Sequence, residues 1–233
     1  MCMSEMTTSQ AAEMLGVSPR QVARMASTGR IDVARRVGRT LLIDAGSVHR
    51  LVRQRRNPGR TWSRRVAWGA LTLLSGSDPG WMSAAERTRL THRLRRMDAD
   101  ELAHLSSNRA DVQHFRGDSD AVRNLPNYIV VTGSSATQHP LWERFDLTSE
   151  ARGVEGYIPT SELETLVDHF HLTPDPAGEI VLRATAFEDA FFGGDTPWAA
   201  IAVDLTESLD TRESRAGHNE LSELLERVRH HER

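Results

Sequence analysis

The chain has 233 residues, of which 26% are charged and 39% hydrophobic, with a mean hydropathy of −0.46. It has no run of 18 apolar residues, and its first residues (MCMSEM) lack the basic and apolar regions of a secretory signal. A membrane span and a signal peptide are therefore excluded, and a soluble cytoplasmic protein is expected. The single cysteine, Cys2, excludes an internal disulfide framework and a cysteine-rich zinc site.

Charge is distributed unevenly along the chain. Residues 1–65 carry 13 arginines against four acidic residues, a net charge of +9, whereas residues 66–233 carry 16 arginines against 28 acidic residues, a net charge of −12. A basic segment joined to an acidic one is typical of a nucleic-acid-binding module fused to a second domain. All 29 basic residues are arginine, which excludes mechanisms that need a lysine, such as a P-loop or a Schiff base.

The first part of the chain carries the start and stop signals of two short helices. Thr7 followed by Gln10, and Ser18 followed by Gln21, have the spacing of capping boxes. Gly16, between the two pairs, can adopt the left-handed conformation that ends a helix. The spacing therefore predicts two helices joined by a tight turn.

Each of these helices has one apolar face, formed by Ala11, Ala12 and Leu15 in the first and by Val22, Met25 and Ala26 in the second. Packing of the two faces leaves Arg20, Gln21 and Arg24 on the outside of the second helix. A helix-turn-helix with a polar recognition face is therefore expected.

A basic hairpin and a third helix are predicted next. The β-rich runs 31–33 and 40–43 flank a turn at Gly38, which predicts a hairpin with arginines at its tip. Asp44 is placed to cap a helix that carries Val48, Leu51 and Val52. These elements predict a winged helix-turn-helix domain over residues 1–53.

The pattern T-x-x-x-A-A-x-x-L-G-V-S, R-x-V-x-R-M, G-R-I and R-x-G-R-x-L-x-I-D over residues 7–53 resembles the excisionase/MerR-type winged helix-turn-helix. The resemblance implies that the second helix enters the major groove of double-stranded DNA and that the wing lies against the backbone or the minor groove. The DNA-binding residues that it implies are Ser18, Arg20, Gln21, Arg24, Arg35, Arg36, Arg39 and Thr40. A solvated basic face and a protein-binding winged helix are the alternatives.

A basic linker is predicted over residues 54–62, because this segment is polar and is interrupted by Pro58-Gly59. Three helices are then predicted to begin at Ser63, Ser83 and Asp98. The arginine-rich segment 87–96 is interpreted as a solvated helix face, with a second DNA-binding patch as the alternative.

Strand and helix patterns alternate from residue 112 onward. The predicted strands are 112–117, 128–133, 155–159 and 179–185, and residues 198–205 are interpreted as strand-like, with a helix start as the alternative. The predicted helices or turns are 118–125, 160–170 and 211–229. The predicted fold class is α+β, leaning toward α/β: the winged helix-turn-helix is followed by a larger acidic domain over residues 63–233 with a sheet of three to five strands.

No catalytic or metal site is expected in this larger domain. The Gly133-Ser134-Ser135 segment lacks the other glycines and the lysine of phosphate-binding loops. His169 and His171 have no third ligand at a recognisable spacing. The acidic residues Asp204, Glu207, Asp210 and Glu213 are interpreted as a charged loop or helix start rather than a nuclease site. We therefore expect no enzymatic activity, no metal and no cofactor.

Residues 109–228 are also similar to the C-terminal part of actinobacterial AbiEi-like antitoxins of type IV toxin–antitoxin systems. The similarity lies in Gly156-Tyr157, Leu182-Arg183, Ala202-Val203-Asp204-Leu205 and the Asp210-x-Arg212 turn. It implies a partner with a nucleotidyltransferase fold, and the acidic charge of this domain would complement a basic toxin surface. A role of the acidity in solubility alone is the alternative.

The expected function is therefore that of a DNA-binding transcriptional regulator that recognises its own operator, as a homodimer or cooperatively on repeats. The finer hypothesis is the autoregulating antitoxin of a toxin–antitoxin pair. The alternative is an excisionase of a phage or mobile element, or a MerR-like regulator whose second domain senses a ligand or dimerises.

Overall fold

A computed structural model describes residues 5–27, 31–38, 40–48, 51, 60–147, 153–191 and 194–230. The chain divides into two compact units, residues 1–59 and residues 60–233. Helices and strands occur in both units, which confirms the predicted α+β class. Among the described helices, none is both long and apolar enough to cross a membrane.

The described part of the N-terminal unit combines three helices with a small antiparallel sheet. The sheet has the order β1-β3-β2, so the last strand in the sequence is the central one. Its elements are β1 (Glu5–Thr7), α1 (Thr8–Leu15), α2 (Pro19–Ser27), β2 (Val33–Val37), β3 (Thr40–Asp44) and the helical residues 45–48 and 51, here α3.

Local hydrogen bonds fix the ends of α1 and the start of α2. The Thr7 side chain accepts a bond from the Gln10 backbone N–H while the Gln10 side chain accepts one from the Thr7 backbone N–H, which is the predicted capping box. Ser18 and Gln21 form the same reciprocal pair. Gly16 ends α1 with a φ of +62°, a left-handed conformation that glycine adopts without steric cost.

A single apolar core holds the three helices against the sheet. Because the buried side chains come from all three helices and from the central strand, the helix-turn-helix and the hairpin form one unit. The core residues are Ala11, Ala12, Leu15, Val22, Met25, Ile31, Ile43, Val48 and Leu51.

The hairpin differs from its prediction in one respect. Strand β2 extends to Val37, so Arg35 and Arg36 lie within the strand and not at the hairpin tip. Their ladder partners on β3 provide the hydrogen-bonded neighbours that keep this polar segment extended. The predicted tip residue Arg39, Val52 of the predicted third helix and residues 54–59 of the predicted linker lie outside the described residues.

Among its described residues, the larger unit contains seven α-helices and a five-stranded sheet. The sheet has the order β5-β6-β8-β4-β7, with β6 and β8 parallel and the other neighbours antiparallel. The strands are β4 (Asp111–Arg116), β5 (Val130–Val131), β6 (Val154–Pro159), β7 (Thr173–Pro174) and β8 (Ile180–Thr185). The helices are α4 (Arg64–Leu74), α5 (Ala84–Leu94), α6 (Ala99–Ser106), α7 (Ser119–Asn124), α8 (Leu163–His169), α9 (Trp198–Glu207) and α10 (Thr211–His230).

Alternation along the strands places two different cores on the two faces of this sheet. Ile158 of β6 and Leu182 of β8 pack with α7 and α8 on one face. Tyr157 of β6 belongs to the core of the other face, which is formed by α4, α5, α6, α9 and α10. Trp62 is buried in this second core although the sequence assigns it to the linker, so the larger unit begins before Ser63.

Two strand predictions in the larger unit differ from the structure, and for residues 198–205 the alternative, a helix start, is confirmed. Residues 198–205 form the buried helix α9. A run that is apolar on all sides fits a helix surrounded by core as well as a buried strand, so the sequence pattern does not distinguish the two. The predicted strand 128–133 is reduced to Val130–Val131, since β5 lies at the edge of the sheet and pairs only with β6 among the described strands.

Candidate nucleic-acid interface

The outer side of α2 presents a narrow face with two arginines. Val22 and Met25 are buried in the core, so the opposite side of the helix is solvent-exposed. Arg20, Arg24 and Ser27 are exposed at the i, i+4 and i+7 positions, and the small side chain of Ala23 lies beside them at i+3. We call Arg20, Ala23, Arg24 and Ser27 the α2 face; Ser27 was not predicted as part of it.

Ser18 and Gln21 occupy a different position from the two arginines. Their side chains are exposed, but the Ser18 hydroxyl and backbone N–H both lie within hydrogen-bond distance of Gln21 Oε1, at 3.2 and 3.0 Å. The Ser18 hydroxyl also accepts the Gln21 backbone N–H at 3.3 Å. These two predicted DNA-binding residues therefore stabilise the start of α2, whatever further contact they make.

The wing arginines point in opposite directions. Arg35 is paired with Leu42 and Arg36 with Leu41 across the ladder, so consecutive side chains project from opposite faces of the sheet. Arg35 donates from Nε to both carboxylate oxygens of Glu5 at 2.9 Å, an ion pair in which the Arg35 side chain stays 63% exposed.

Arg36 and Thr40 are both exposed near the end of the hairpin. Thr40 pairs with Val37 in the ladder. The described hairpin therefore presents Arg36 and Thr40 on its surface, while Arg35 is already engaged by a carboxylate.

Arginine has a different role inside the larger unit. Arg109 and Arg183 are almost completely buried, with 1% and 4% of their side chains exposed. They lie among three carboxylates, Glu155, Asp204 and Glu207, and together these five residues form what we call the buried ionic cluster. Arg109 pairs with Asp204, and with Glu207 at 2.9 Å, while Arg183 pairs with Glu155, and with Glu207 at 2.6 Å.

Neutral groups satisfy the remaining hydrogen-bonding capacity of Asp204. The Tyr157 hydroxyl lies 2.8 and 2.9 Å from its two carboxylate oxygens, and the Thr132 hydroxyl also donates to it. The Arg109 Nε in turn donates to the Tyr157 hydroxyl at 2.8 Å. The sequence interprets Asp204 as part of a charged loop or helix start, whereas the fold makes it the central anion of a buried network.

The cluster has two positive and three negative formal charges, and the pKa values reflect this imbalance. Burial, opposed by Arg183 and reinforced by Asp204 and Glu207, raises the pKa of Glu155 to about 7. Burial acts in the same direction on Glu207, but the charges of Arg109 and Arg183 outweigh it and lower the pKa of Glu207 to about 2. The cluster therefore takes up a proton at Glu155 near neutral pH.

The other candidate sites of the sequence are not assembled by the fold. His169 ends α8 and packs against Tyr128, while His171 has a left-handed φ of +48° after that helix. Ser135 of the Gly-Ser-Ser segment accepts a hydrogen bond from the Glu155 backbone N–H at 2.8 Å, so it supports the sheet. Within the part of the chain that the structure describes, no three histidine, cysteine or acidic residues lie together as a metal site.

The comparisons with known proteins agree with the geometry of the N-terminal unit. Residues 5–56 match a family model described as a helix-turn-helix domain, and this match supports a DNA-binding domain in a regulator. The search of curated proteins returned no match, and neither did the search of solved structures. The N-terminal unit is therefore a helix-turn-helix domain, and the match extends over less than a quarter of the chain.

Proposed function

We propose that this chain is a sequence-specific transcriptional regulator that inserts the α2 face into the major groove of double-stranded DNA. The observation that carries the proposal is the pair of exposed arginines, Arg20 and Arg24, one turn apart on the second helix of a helix-turn-helix. The N-terminal residues 1–59 hold ten arginines against four acidic residues, so the unit is attracted to a polyanion.

Arginine suits this role because its planar guanidinium can donate two parallel hydrogen bonds to O6 and N7 of guanine. Arg36 and Thr40 of the hairpin then supply contacts to phosphates, which fix the register of the helix without reading sequence.

The experiment that tests the proposal begins with selection of duplexes from a randomised library by the full chain. Arg24→Ala is expected to weaken binding to the selected duplex by about 5- to 150-fold, the range of one bidentate base contact, and to weaken binding to random duplex much less. Arg116→Ala, which removes an exposed arginine of the larger unit, is the matched control.

Two results would contradict the proposal. Failure of the library to enrich any sequence would show that the chain does not read bases. Equal losses for Arg24→Ala on selected and random duplexes would limit Arg24 to a phosphate contact, and Arg20→Ala would then be the remaining test of base recognition by the α2 face.

A single module of this type covers about 600–1,000 Å² on DNA, which is small for specific control. We therefore propose that two or more copies bind together, as a homodimer or cooperatively on repeated half-sites. The stoichiometry of the complex with a selected duplex, measured by sedimentation, tests this: one copy per duplex contradicts it.

The finer proposal for the larger unit is a non-catalytic antitoxin that counteracts a nucleotidyltransferase-fold toxin. Its support is the similarity of residues 109–228 to AbiEi-like antitoxins together with the acidic charge of the unit, a net −9 over residues 60–233. Co-expression of the full chain with the product of the neighbouring reading frame tests it. Relief of growth arrest supports the proposal, and toxicity that the chain leaves unchanged contradicts it.

A cleft in the larger unit favours the ligand-sensing alternative. Its volume is about 700 Å³, within the range of small-molecule sites, and its lining includes Trp81 and Trp198 with Asp189 and Asp195. His139 stacks on Trp198 at 4.8 Å, and burial lowers the pKa of His139 against a smaller opposing effect of Asp195. The imidazole is therefore neutral at pH 7.

Ligand sensing predicts that a small molecule raises the melting temperature of the full chain and changes its affinity for a selected duplex. A thermal-shift screen followed by titration of each hit against the duplex tests this. Loss of the effect in Asp195→Asn would place the ligand in the cleft, and hits without any effect on DNA affinity would contradict a regulatory role.

A further inference from the structure

The larger unit is acidic overall, but one of its grooves is basic. A groove of about 340 Å³ is formed at α5 and the start of α6. Its lining residues, here called the α5 groove, are Arg89, His92, Arg93, Arg96, Met97 and Glu101. Three arginines and one glutamate give it a formal net charge of +2, on a unit whose net charge is −9.

The three arginines of the groove lie on one side of the helix and of the turn that follows it. Arg89, Arg93 and Arg96 are exposed at the i, i+4 and i+7 positions, while Leu90 and Leu94 are buried on the other side. This is the same arrangement as Arg20 and Arg24 on the α2 face.

Neighbouring arginines of the same segment are engaged within the protein. Arg87 pairs with Asp78 at 3.1 Å, and Arg95 donates from Nε to the Val228 carbonyl oxygen at 3.3 Å. Among the residues that the structure describes, no acidic side chain forms an ion pair with Arg89, Arg93 or Arg96. Their charge is therefore directed to solvent and to whatever binds there.

Arg93 links the groove to the place where the chain enters the larger unit. Its guanidinium carbon lies 5.1 Å from the ring centroid of Trp62, two residues after the boundary residue Arg60. A cation–π contact restrains the side chain but leaves its donors available. The segment just before Trp62 carries Arg53, Arg55, Arg56 and Arg60 in the sequence.

We propose that the α5 groove binds the phosphate backbone of the duplex that the N-terminal unit recognises. The inference rests on the proposed DNA-binding function and extends it to a second, sequence-independent contact on the larger unit. Guanidiniums spaced one helical turn apart suit a polyanion with regularly spaced phosphates. Because the α2 face and the α5 groove belong to the same chain, binding at one raises the effective concentration of DNA at the other.

Salt dependence of binding provides the test. Each phosphate contact contributes about −0.9 to the slope of log K against log salt concentration. The variant R89Q/R93Q/R96Q, which replaces the three guanidiniums with neutral amides, is expected to reduce the magnitude of the slope by up to about 2.7. Affinity for selected and random duplexes should fall by the same factor, because phosphate contacts carry no sequence information.

The matched control is R116Q/R212Q/R215Q, which removes the same charge from exposed arginines outside α5. Arg212 and Arg215 lie in the first turns of α10, whereas the last turn of α10 contacts α5: the Arg229 Nε donates to the Arg95 carbonyl oxygen at 3.0 Å. At 1.5 Å per residue, the two ends of this helix are separated by roughly 20 Å or more. The control is expected to leave the slope unchanged.

The outcomes separate the two proposals. If R89Q/R93Q/R96Q binds DNA with an unchanged salt slope, the groove inference is overturned and the proposed function stays intact. An equal change of the slope in the control variant has the same consequence. Sedimentation without DNA provides a second readout. If R89Q/R93Q/R96Q loses self-association while its salt slope is unchanged, the groove binds the acidic surface of a second copy, and this result also overturns the inference. Absence of duplex binding by the wild-type chain contradicts both proposals.

Discussion

The arginines of the N-terminal unit and those in the core of the larger unit have the same chemistry and opposite surroundings. Arg20 and Arg24 are exposed on a short helix, where water and a partner can reach them. Arg109 and Arg183 are enclosed with three carboxylates, where the internal partners must compensate the charge completely. Removing an arginine should therefore affect binding in the first unit and folding in the second.

The largest expected effect is that of Arg109→Met. It removes one of the two guanidiniums that compensate Asp204 and Glu207 in a buried site, and the expected loss in free energy of unfolding is about 3–5 kcal/mol. All five tryptophans lie in residues 60–233, so tryptophan fluorescence during urea unfolding reports on the larger unit.

Arg116→Met is the control for that experiment, since the Arg116 side chain is 66% exposed beside Asp175 and such a pair contributes about 0–1 kcal/mol. Similar losses in the two variants would show that burial does not distinguish the two kinds of arginine.

Glu155→Gln tests the proton balance of the buried ionic cluster. The pKa of Glu155 is raised from 4.5 to about 7 in the folded chain, so the folded state binds more protons than the unfolded state between these values. The stability that this residue contributes is complete below about pH 4.5 and is lost as the pH rises through 7.

Urea unfolding of wild type and Glu155→Gln at several pH values measures this effect. The difference in free energy of unfolding is expected to move in favour of the variant as the pH rises from 5 to 8, because Gln carries no charge in the buried site. A constant difference over that range would mean that Glu155 titrates at an ordinary pKa.

Within the N-terminal unit, Ser18→Ala distinguishes a structural role of the Ser18 hydroxyl from a contact with DNA. It removes the hydroxyl that caps α2, and the expected cost is about 1 kcal/mol of stability in that unit. Since the unit has no tryptophan, hydrogen exchange of the α2 amides measures the loss.

Ser27→Ala, at the exposed end of the same helix, is the matched control, and it should leave amide protection at the start of α2 unchanged. If Ser18→Ala weakened DNA binding without changing this protection, the hydroxyl would be a DNA contact and not mainly a cap.

The smallest expected effect is that of Glu5→Gln. This change removes the carboxylate that pairs with Arg35, and the guanidinium becomes available to a phosphate. Affinity for random duplex at low salt should rise by less than tenfold, in line with the small strength of exposed ion pairs.

Glu13→Gln changes the charge of the same unit equally and is exposed on α1, so it measures the general electrostatic effect. Equal increases in the two variants would show that Arg35 makes no phosphate contact of its own.

The sequence by itself determined the helix-turn-helix, because its signals are local. The capping boxes at Thr7 and Ser18 and the left-handed Gly16 act between residues no more than a few positions apart, and so do the apolar faces of α1 and α2. The exposed arginines of α2 follow from the same periodicity.

Only the tertiary structure decided the rest, because it depends on partners distant in the sequence. Residues 198–205 form a helix and not a strand since core surrounds them on all sides, which periodicity does not reveal. Asp204 is buried because Arg109, 95 residues earlier, compensates its charge. Strand β1 is only three residues long and is stabilised by its hydrogen bonds to β3. The basic α5 groove is recognised only from the packing, which shows which arginines are already paired.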